Sequence, residues 1–181
     1  MARMDNMLRY FAIWLNGRDY LGEGIELKMP DLKIKTDDVR GGGMDAPIEV
    51  DLGMDKLSAE WKVTSYDEAL FSQWGLRRSQ VSRLTFRGHL EGQNPQGSNG
   101  QANIARVMAV MDARIMELNK ETWAPGKHAV INVRAAVDYF KLIFNDRPVI
   151  EIDVLGFKRS IGGIDQLADA RVSLGITNST G

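Results

Sequence analysis

The chain of 181 residues contains no cysteine. Disulfides, thiolate zinc sites and cysteine nucleophiles are therefore excluded together, and a reducing compartment suits the chain. Histidine is nearly as scarce: His89 and His128 are the only two, each alone in a strand pattern. No cluster of His, Asp and Glu has the spacing of a metal site, so neither a metal nor a cofactor is expected. Long apolar runs are missing as well, and nothing approaches the roughly 18 residues of a membrane span. The opening MARMDNMLRYFAIWLNG is broken by Arg9 and lacks a small-residue cleavage site, which argues against a signal peptide. Charge excess is also absent. With 23 Lys and Arg against 24 Asp and Glu the net charge is -1, so the surface as a whole has no electrostatic reason to hold DNA or anionic lipid. A soluble cytoplasmic protein without stable membrane association is expected.

Catalytic signatures are missing too. Gly41, Gly42 and Gly43 are followed by Met44-Asp45, not by the Lys and Ser or Thr of a phosphate loop. The element after them is extended, so no helix N-terminus is offered to a phosphate. From Asp37 to Asp55 six acidic residues face a single basic one, Arg40, which would repel an anion. Asp37-Asp38 is a solvated loop pair and not an acid/base couple, and no serine stands in a nucleophile elbow. Trp14, Trp61, Trp74 and Trp123 are scattered without a basic groove, which points to core or interface use and not to base stacking. The chain reads as a structural protein and not an enzyme. The glycine-acidic segment is either a flexible surface loop or an arm that orders on a neighbour.

What is present is alternation. Leu57, Ala59, Trp61 and Val63 share one face; so do Leu84, Phe86 and Leu90, and Ile25, Leu27 and Met29. Period two with one polar face is the mark of antiparallel strands over a core. Two longer runs follow. Ala105, Val107, Ala109, Met111, Ala113 and Ile115 lie opposite a mix of Arg106, Asp112 and Arg114 with Met108 and Val110; Ala129, Ile131, Val133, Ala135, Val137 and Tyr139 lie opposite Asn132, Arg134 and Asp138. Near Tyr139-Phe140 both faces become apolar, which predicts a bulge or a change of packing partner. The less apolar faces of these long strands must meet water.

Two helices are expected. SYDEALFSQWG has Ser65 and Glu68 at capping-box spacing, an apolar stripe of Tyr66, Leu70, Phe71 and Trp74, and Gly75 as its stop. IDQLADARVSLG supplies a short one near the C-terminus. Loops are expected over Thr36–Asp55 and, as a flexible segment, over 92–101; a disordered tail is expected at 177–181. No linker or repeat divides the chain, so 1–181 is one domain.

Three blocks, LNGRDYLGEGIELKMPDLKIKT, VRGGGMDAPIEVDLGMDKLSAEW and DYFKLIFNDRPVIEIDVLGFKRSIGGIDQLADARVSLGI, resemble in order and spacing the major tail tube protein of contractile-tailed bacteriophages, a family shared with R-type pyocin tubes. The resemblance runs from Leu8 to Ile176 and is most specific in GGMDAPIEVDLGM and GGIDQLADARVSLGI. Family members often carry an aromatic before the arm's arginine, where this chain has Val39.

The resemblance implies a mainly β fold: an antiparallel β-barrel or sandwich with one flanking α-helix, a long inter-subunit loop and a short C-terminal helix. It implies hexameric rings stacked into the inner tube of a contractile tail, a virion protein assembled in the bacterial cytoplasm. The partners it implies are further copies, the tail sheath protein, the baseplate or tube initiator, the tail terminator, and, in a phage, the tape measure protein and transiting DNA in the lumen. A pyocin, tailocin or related injection machine would use the same tube without DNA transit.

The segment 36–56 becomes, on the same resemblance, an inter-subunit arm: Arg40, Gly41, Gly42, Gly43, Met44, Asp45, Pro47, Ile48, Asp51, Leu52, Met54 and Asp55. Its buried contacts with neighbours would come from Met44, Ile48, Leu52 and Met54, and it would order on assembly. The polar faces carrying Arg106, Asp112, Arg114, Asn132, Arg134 and Asp138 are candidates for the lumen. A monomeric β-barrel that binds a small ligand is the alternative of a different class, and would show a closed apolar cavity.

Overall fold

The computed structural model describes residues 7–75, 81–92 and 103–176. The expected loop at 92–101, apart from its first residue, and the expected tail at 177–181 lie outside them.

Strands β1 (Met7–Leu15), β2 (Arg18–Asp19), β3 (Gly24–Lys28), β4 (Ile34–Val39), β5 (Ile48–Met54) and β6 (Leu57–Val63) precede helix α1 (Glu68–Ser72). Then come β7 (Ser82–Gly92), β8 (Asn103–Lys120), β9 (Ile131–Phe144), β10 (Arg147–Asp153), β11 (Lys158–Ile161), β12 (Ile164–Asp165) and helix α2 (Ala168–Ser173). The main sheet runs β12-β11-β10-β9-β8-β7-β1-β2, with β6 joined to β9 and β3 outside β6. Every ladder is antiparallel. The pair β4-β5 forms a sheet of its own.

The alternation read from the sequence is the alternation of burial. Leu57, Ala59, Trp61 and Val63 are buried, as are Leu84, Phe86, Ala109, Met111, Ala113 and Ile115. On β9 the inward set is Ile131, Val133, Ala135 and Val137, and then the parity changes. Met111 pairs with Phe140 and Asp112 with Tyr139, but Ala113 pairs with Val137, so Asp138 is an extra residue. After it the even positions turn inward: Phe140 is buried and Leu142 packs on the core. The same residue marks a change of partner. Before it β9 pairs with β6, from Val63↔Ile131 to Leu57↔Val137; after it β9 pairs with β10, from Asp153↔Tyr139 onward. The bulge and the change of partner coincide. The sheet therefore forks at Asp138.

A second bulge, at Met116 of β8, serves α1. Here the carbonyl of Ile115 accepts from the Gly75 N–H and that of Met116 from the Trp74 indole at 3.1 Å. The helix drops Leu70, only 1% exposed, into the core. Its N-cap is Asp67, whose side chain accepts from the Ala69 N–H, and not the expected Ser65-Glu68 box. Asp67 also receives the Tyr20 hydroxyl and the Arg18 guanidinium, which ties the helix to the β1–β2 hairpin. Burial and the Asp67 carboxylate together push the Tyr20 hydroxyl up to about 12. Gly75 ends the segment at φ +72°, as its position suggested.

Three expectations are corrected. Ile25 does not share a face with Leu27 and Met29: a register shift after Gly24 leaves it exposed while the other two pack on the core. Gly24 itself permits the sheet to curl, since a Cβ there would meet Ile13 Cδ1 of β1 at 3.2 Å. His128 lies in the β8–β9 connection and not in a strand. The segment Thr36–Asp55 is not a loop, because its flanks pair as a hairpin and only 40–47 form the turn.

The inward face is filled by Trp61, Phe86, Met111 and Phe140. Phe140→Ala, at the fork, should cost about 3–5 kcal/mol by emptying a close-packed site. Chemical denaturation of the monomer would measure it; a loss under about 1 kcal/mol would mean that the site collapses without harm.

Candidate functional site

Two surfaces stand out once the core is set aside: the β4-β5 hairpin and the polar face of β8 and β9.

The hairpin pairs Val39 with Ile48, Asp38 with Glu49, Asp37 with Val50 and Thr36 with Asp51. Period two then sorts its faces. Val39, Ile48 and Val50 share one with Asp37; Asp38, Glu49 and Asp51 share the other. Every position from Ile34 to Gly43 is exposed, and so is every position from Asp45 to Leu52. Asp38 directly opposite Glu49 is an unfavourable cross-strand pair. A lone two-stranded hairpin is marginal in water, and this one is fastened only at its base. Asp51 pairs with Arg159 of β11 at 2.6 Å, Lys33 pairs with Asp55, and the Asp55 N–H donates to the Lys33 carbonyl.

The arm residues named from the sequence divide accordingly. Arg40 reaches the carbonyls of Met44 and Asp45 and holds the turn, where Gly43 takes φ +86°. Met44 is half-buried beside Gly41, whose N–H lies 3.1 Å from its sulfur. Met54 packs on the chain's own core and is not free for a neighbour. Asp51 and Asp55 are engaged at the base. Asp45, Pro47, Ile48 and Leu52 project from the body, and so do Val39, Glu49 and Val50, none of which was among the arm residues named from the sequence. Arg159 was missed as well. Its only sequence signal is a cation in an alternating strand, whereas its partner lies 108 positions away.

Beneath the arm's base a cleft of about 710 Å³ opens between β5, the Asp138 bulge and the β10–β11 turn. It is lined by Leu52, Val137, Ile152, Phe157 and Arg159 among others.

The six lumen candidates all lie on the face turned away from the core, and there each candidate arginine has found an acid, whereas Arg87 of β7 on the same face lies over the Trp14 ring instead. Arg83 of β7 grips Asp112 with two bonds of 2.7 and 2.8 Å. Arg106 pairs with Asp146, Arg114 with Asp138 at 3.1 Å, and Arg134 with Glu117 and Glu60. Asn132 donates to Glu121. Farther along, Glu151 accepts from Tyr139 and pairs with Lys141 and Lys158. Burial and the Glu151 carboxylate push the Tyr139 hydroxyl up to about 12. The result is a mixed surface, with Met108 and Val110 between the charged positions, on which most of the charge is cancelled locally. Among the described residues no three His, Asp or Glu side chains converge as a metal site requires, and no helix is long and apolar enough to cross a membrane.

Residues 5–175 match the family model of the phage tail tube protein FII. The chain is 26% identical over 176 residues to the tail tube protein of Escherichia phage P2, covering 96% of this chain and 99% of that one. It is 29% identical over 168 residues to the major tail tube protein of Serratia phage KSP20, covering 92% and 93%. Among solved structures, it is similar in fold to a chain of the PVC sheath–tube complex of an extracellular contractile injection system. The TM-score is 0.51 at 12% identity, over 74% of this chain and 86% of that one. A chain from the sheath/tube terminator of the same system gives 0.52 at 10% identity, over 75% and 93%.

The Arg159 guanidinium, helped by the Gly53 N–H, holds the Asp51 carboxyl below the ordinary carboxylate range. A depressed folded value means that the latch adds stability above the unfolded value of about 3.9 and loses it as pH falls through the folded one. Carbon-detected NMR titration should find Asp51 ionising below ordinary aspartates, and Arg159→Gln should return it to their range. An unchanged midpoint in that variant would mean the pair does not persist in solution.

Proposed function

We infer the working of this chain from one premise: it belongs to the phage tail tube protein FII family, the structural protein of the tail tube of contractile-tailed phages and a component of the virion. The finer reading is that hexameric rings of it stack into the tube, that the tube is the conduit for DNA, and that the chain catalyses nothing. The single observation that carries this reading is the arm. A hairpin with Ile48, Val50 and Leu52 exposed and two ion pairs at its base is unfinished in an isolated subunit. A second copy finishes it.

The sheet's ends support the ring. No strand covers the outer edge of β1 from Met7 to Ala12 among the described residues, and Met7, Leu8 and Tyr10 are exposed along it. At the far end β12 is two residues long and leaves part of β11 open. Unpaired edges invite pairing with another chain, and edge-to-edge closure into a ring would remove them. Such rings would form in the host cytoplasm, on a baseplate initiator. A tape measure protein would lie within, and a terminator and sheath would complete the tail. The solved neighbours come from assemblies described as sheath–tube and sheath/tube terminator complexes, which supports the last two partners.

The charge-cancelled face is the best lining for the bore. A cation facing DNA releases counterions and binds phosphate; an arginine already paired to a carboxylate does so less. Arg106, Asp112, Arg114, Asn132, Arg134 and Asp138 would then line the channel as matched pairs that let a polyanion slide. A DNA-free injection tube would work with the same face, and a capsid gene beside this one would decide for the phage.

Electron microscopy of the purified protein is expected to show hollow rings or tubes as concentration rises. A chain lacking 36–53 should melt as a monomer much like the parent and form no tubes. Cryo-microscopy of the tube should find the Arg83–Asp112 and Arg134–Glu117 pairs facing the channel; both on the outer wall would overturn the lumen assignment.

A further inference from the structure

Scattered in sequence, Tyr66, Phe71, Trp74, Met116, Lys120 and Trp123 meet at one rim of the molecule. Trp123 stacks edge-on against Tyr66 with ring centres 4.9 Å apart, and its indole N–H donates to the Tyr66 hydroxyl at 2.7 Å. Tyr66 in turn lies 5.7 Å from Phe71, and the Lys120 ammonium sits 5.2 Å over the Phe71 ring. The Trp74 indole is bound to the Met116 carbonyl. Both tryptophans have thus spent their polar atoms inward, yet Trp123 is 68% exposed, Trp74 58% and Met116 51%. What they turn to water is apolar and already held in place. Preordered tryptophan surface of this kind is what interface hot spots are made of.

The arm has the complementary character. One of its faces carries Val39, Ile48 and Val50 together with Asp37, and neither Asp37 nor Asp45 in the turn has a cation partner among the described residues. Lys120 on the rim has no carboxylate partner among the described residues either, and the same holds for Lys127, which follows Trp123 by four positions in the β8–β9 connection. The chain's order also separates the two surfaces correctly. The arm ends just before Leu57, where β6 begins, and the rim starts just after Val63, where β6 ends. At roughly 3.3 Å per residue β6 keeps them about 20 Å apart, so each subunit carries a projection at one end and a receptor at the other. A contact between unlike surfaces builds an open stack whenever its rotation does not close a ring.

We propose that the apolar face of one copy's arm docks on the aromatic rim around Trp123 and Trp74 of a copy in the adjacent ring, with Lys120 and Lys127 meeting the arm's acids. The proposal rests on the tube reading and names the receptor that reading leaves open.

The test places the photo-crosslinker p-benzoylphenylalanine at position 48. Modified chains are diluted into nitrogen-15-labelled unmodified chains, assembled into tubes, irradiated and mapped by mass spectrometry. Crosslinks between the two isotopic species should fall in 66–74 or 116–127. Separately, Trp74→Ala with Trp123→Ala should raise the concentration needed for tubes about tenfold or more, as loss of a hot spot does, while the monomer, without the Trp74 bond to the Met116 carbonyl, melts lower but stays folded at the assembly temperature. Intact tubes whose mixed-isotope crosslinks lie elsewhere would overturn the docking and leave the tube reading standing. So would an unchanged assembly concentration in the double variant, which would free the rim for a different partner such as the sheath. Unmodified protein that stays monomeric at every concentration would overturn the tube reading itself.

Discussion

One inserted residue organises this molecule. Asp138 adds a position to β9 without a counterpart on β8, and three consequences follow from that local excess. The side-chain parity of β9 inverts, so Phe140 continues the core that Val137 leaves. The strand exchanges β6 for β10, so the sheet forks. The displaced groups are satisfied on the spot, the carbonyl by the Val154 N–H and the carboxylate by Arg114. A buried bulge with unpaired groups would be costly; here the repair also sets where the arm attaches. The fork leaves the cleft over which β5 passes, and it presents Arg159 to Asp51.

The rest of the surface divides by what still lacks a partner. On the β8–β9 face each arginine has a carboxylate in reach, and such exposed pairs add little stability each. Their effect is to remove unpaired cation from a wide surface. The arm, the free edge of β1 and the Trp123 rim are the opposite case: they hold apolar or hydrogen-bonding capacity that the chain itself does not use. A globular monomer would have buried or blunted them. Taken together they describe a part and not a whole, in agreement with a family that builds tubes.

The two bulges show how such a fold keeps its helix and its sheet in one core. At Met116 the register slip turns two carbonyls toward α1, and the helix, only five residues long, is anchored by those bonds and by Leu70 more than by its own turns. Short helices are weak alone. This one survives because Asp67 caps it and joins it to Tyr20 and Arg18 at the same time.

Which residues face inward was legible in the chain alone, because strand alternation is a local property: neighbours in sequence point to opposite sides wherever the strand lies. Turn positions were legible for a like reason, as Gly43 and Gly75 stand where the backbone needs positive φ. The parity break at Tyr139-Phe140 was visible too, as two apolar faces at once. The arm's strands were not, since acidic residues mask a period that the pairing restores. Pairing itself belongs to the tertiary structure. That Asp51 meets Arg159, that Trp123 joins Tyr66, Phe71 and Trp74 on one rim, and that β1 ends uncovered all depend on contacts between segments far apart in sequence. No local pattern encodes them, because many registers satisfy the same alternation and only the packed core selects one.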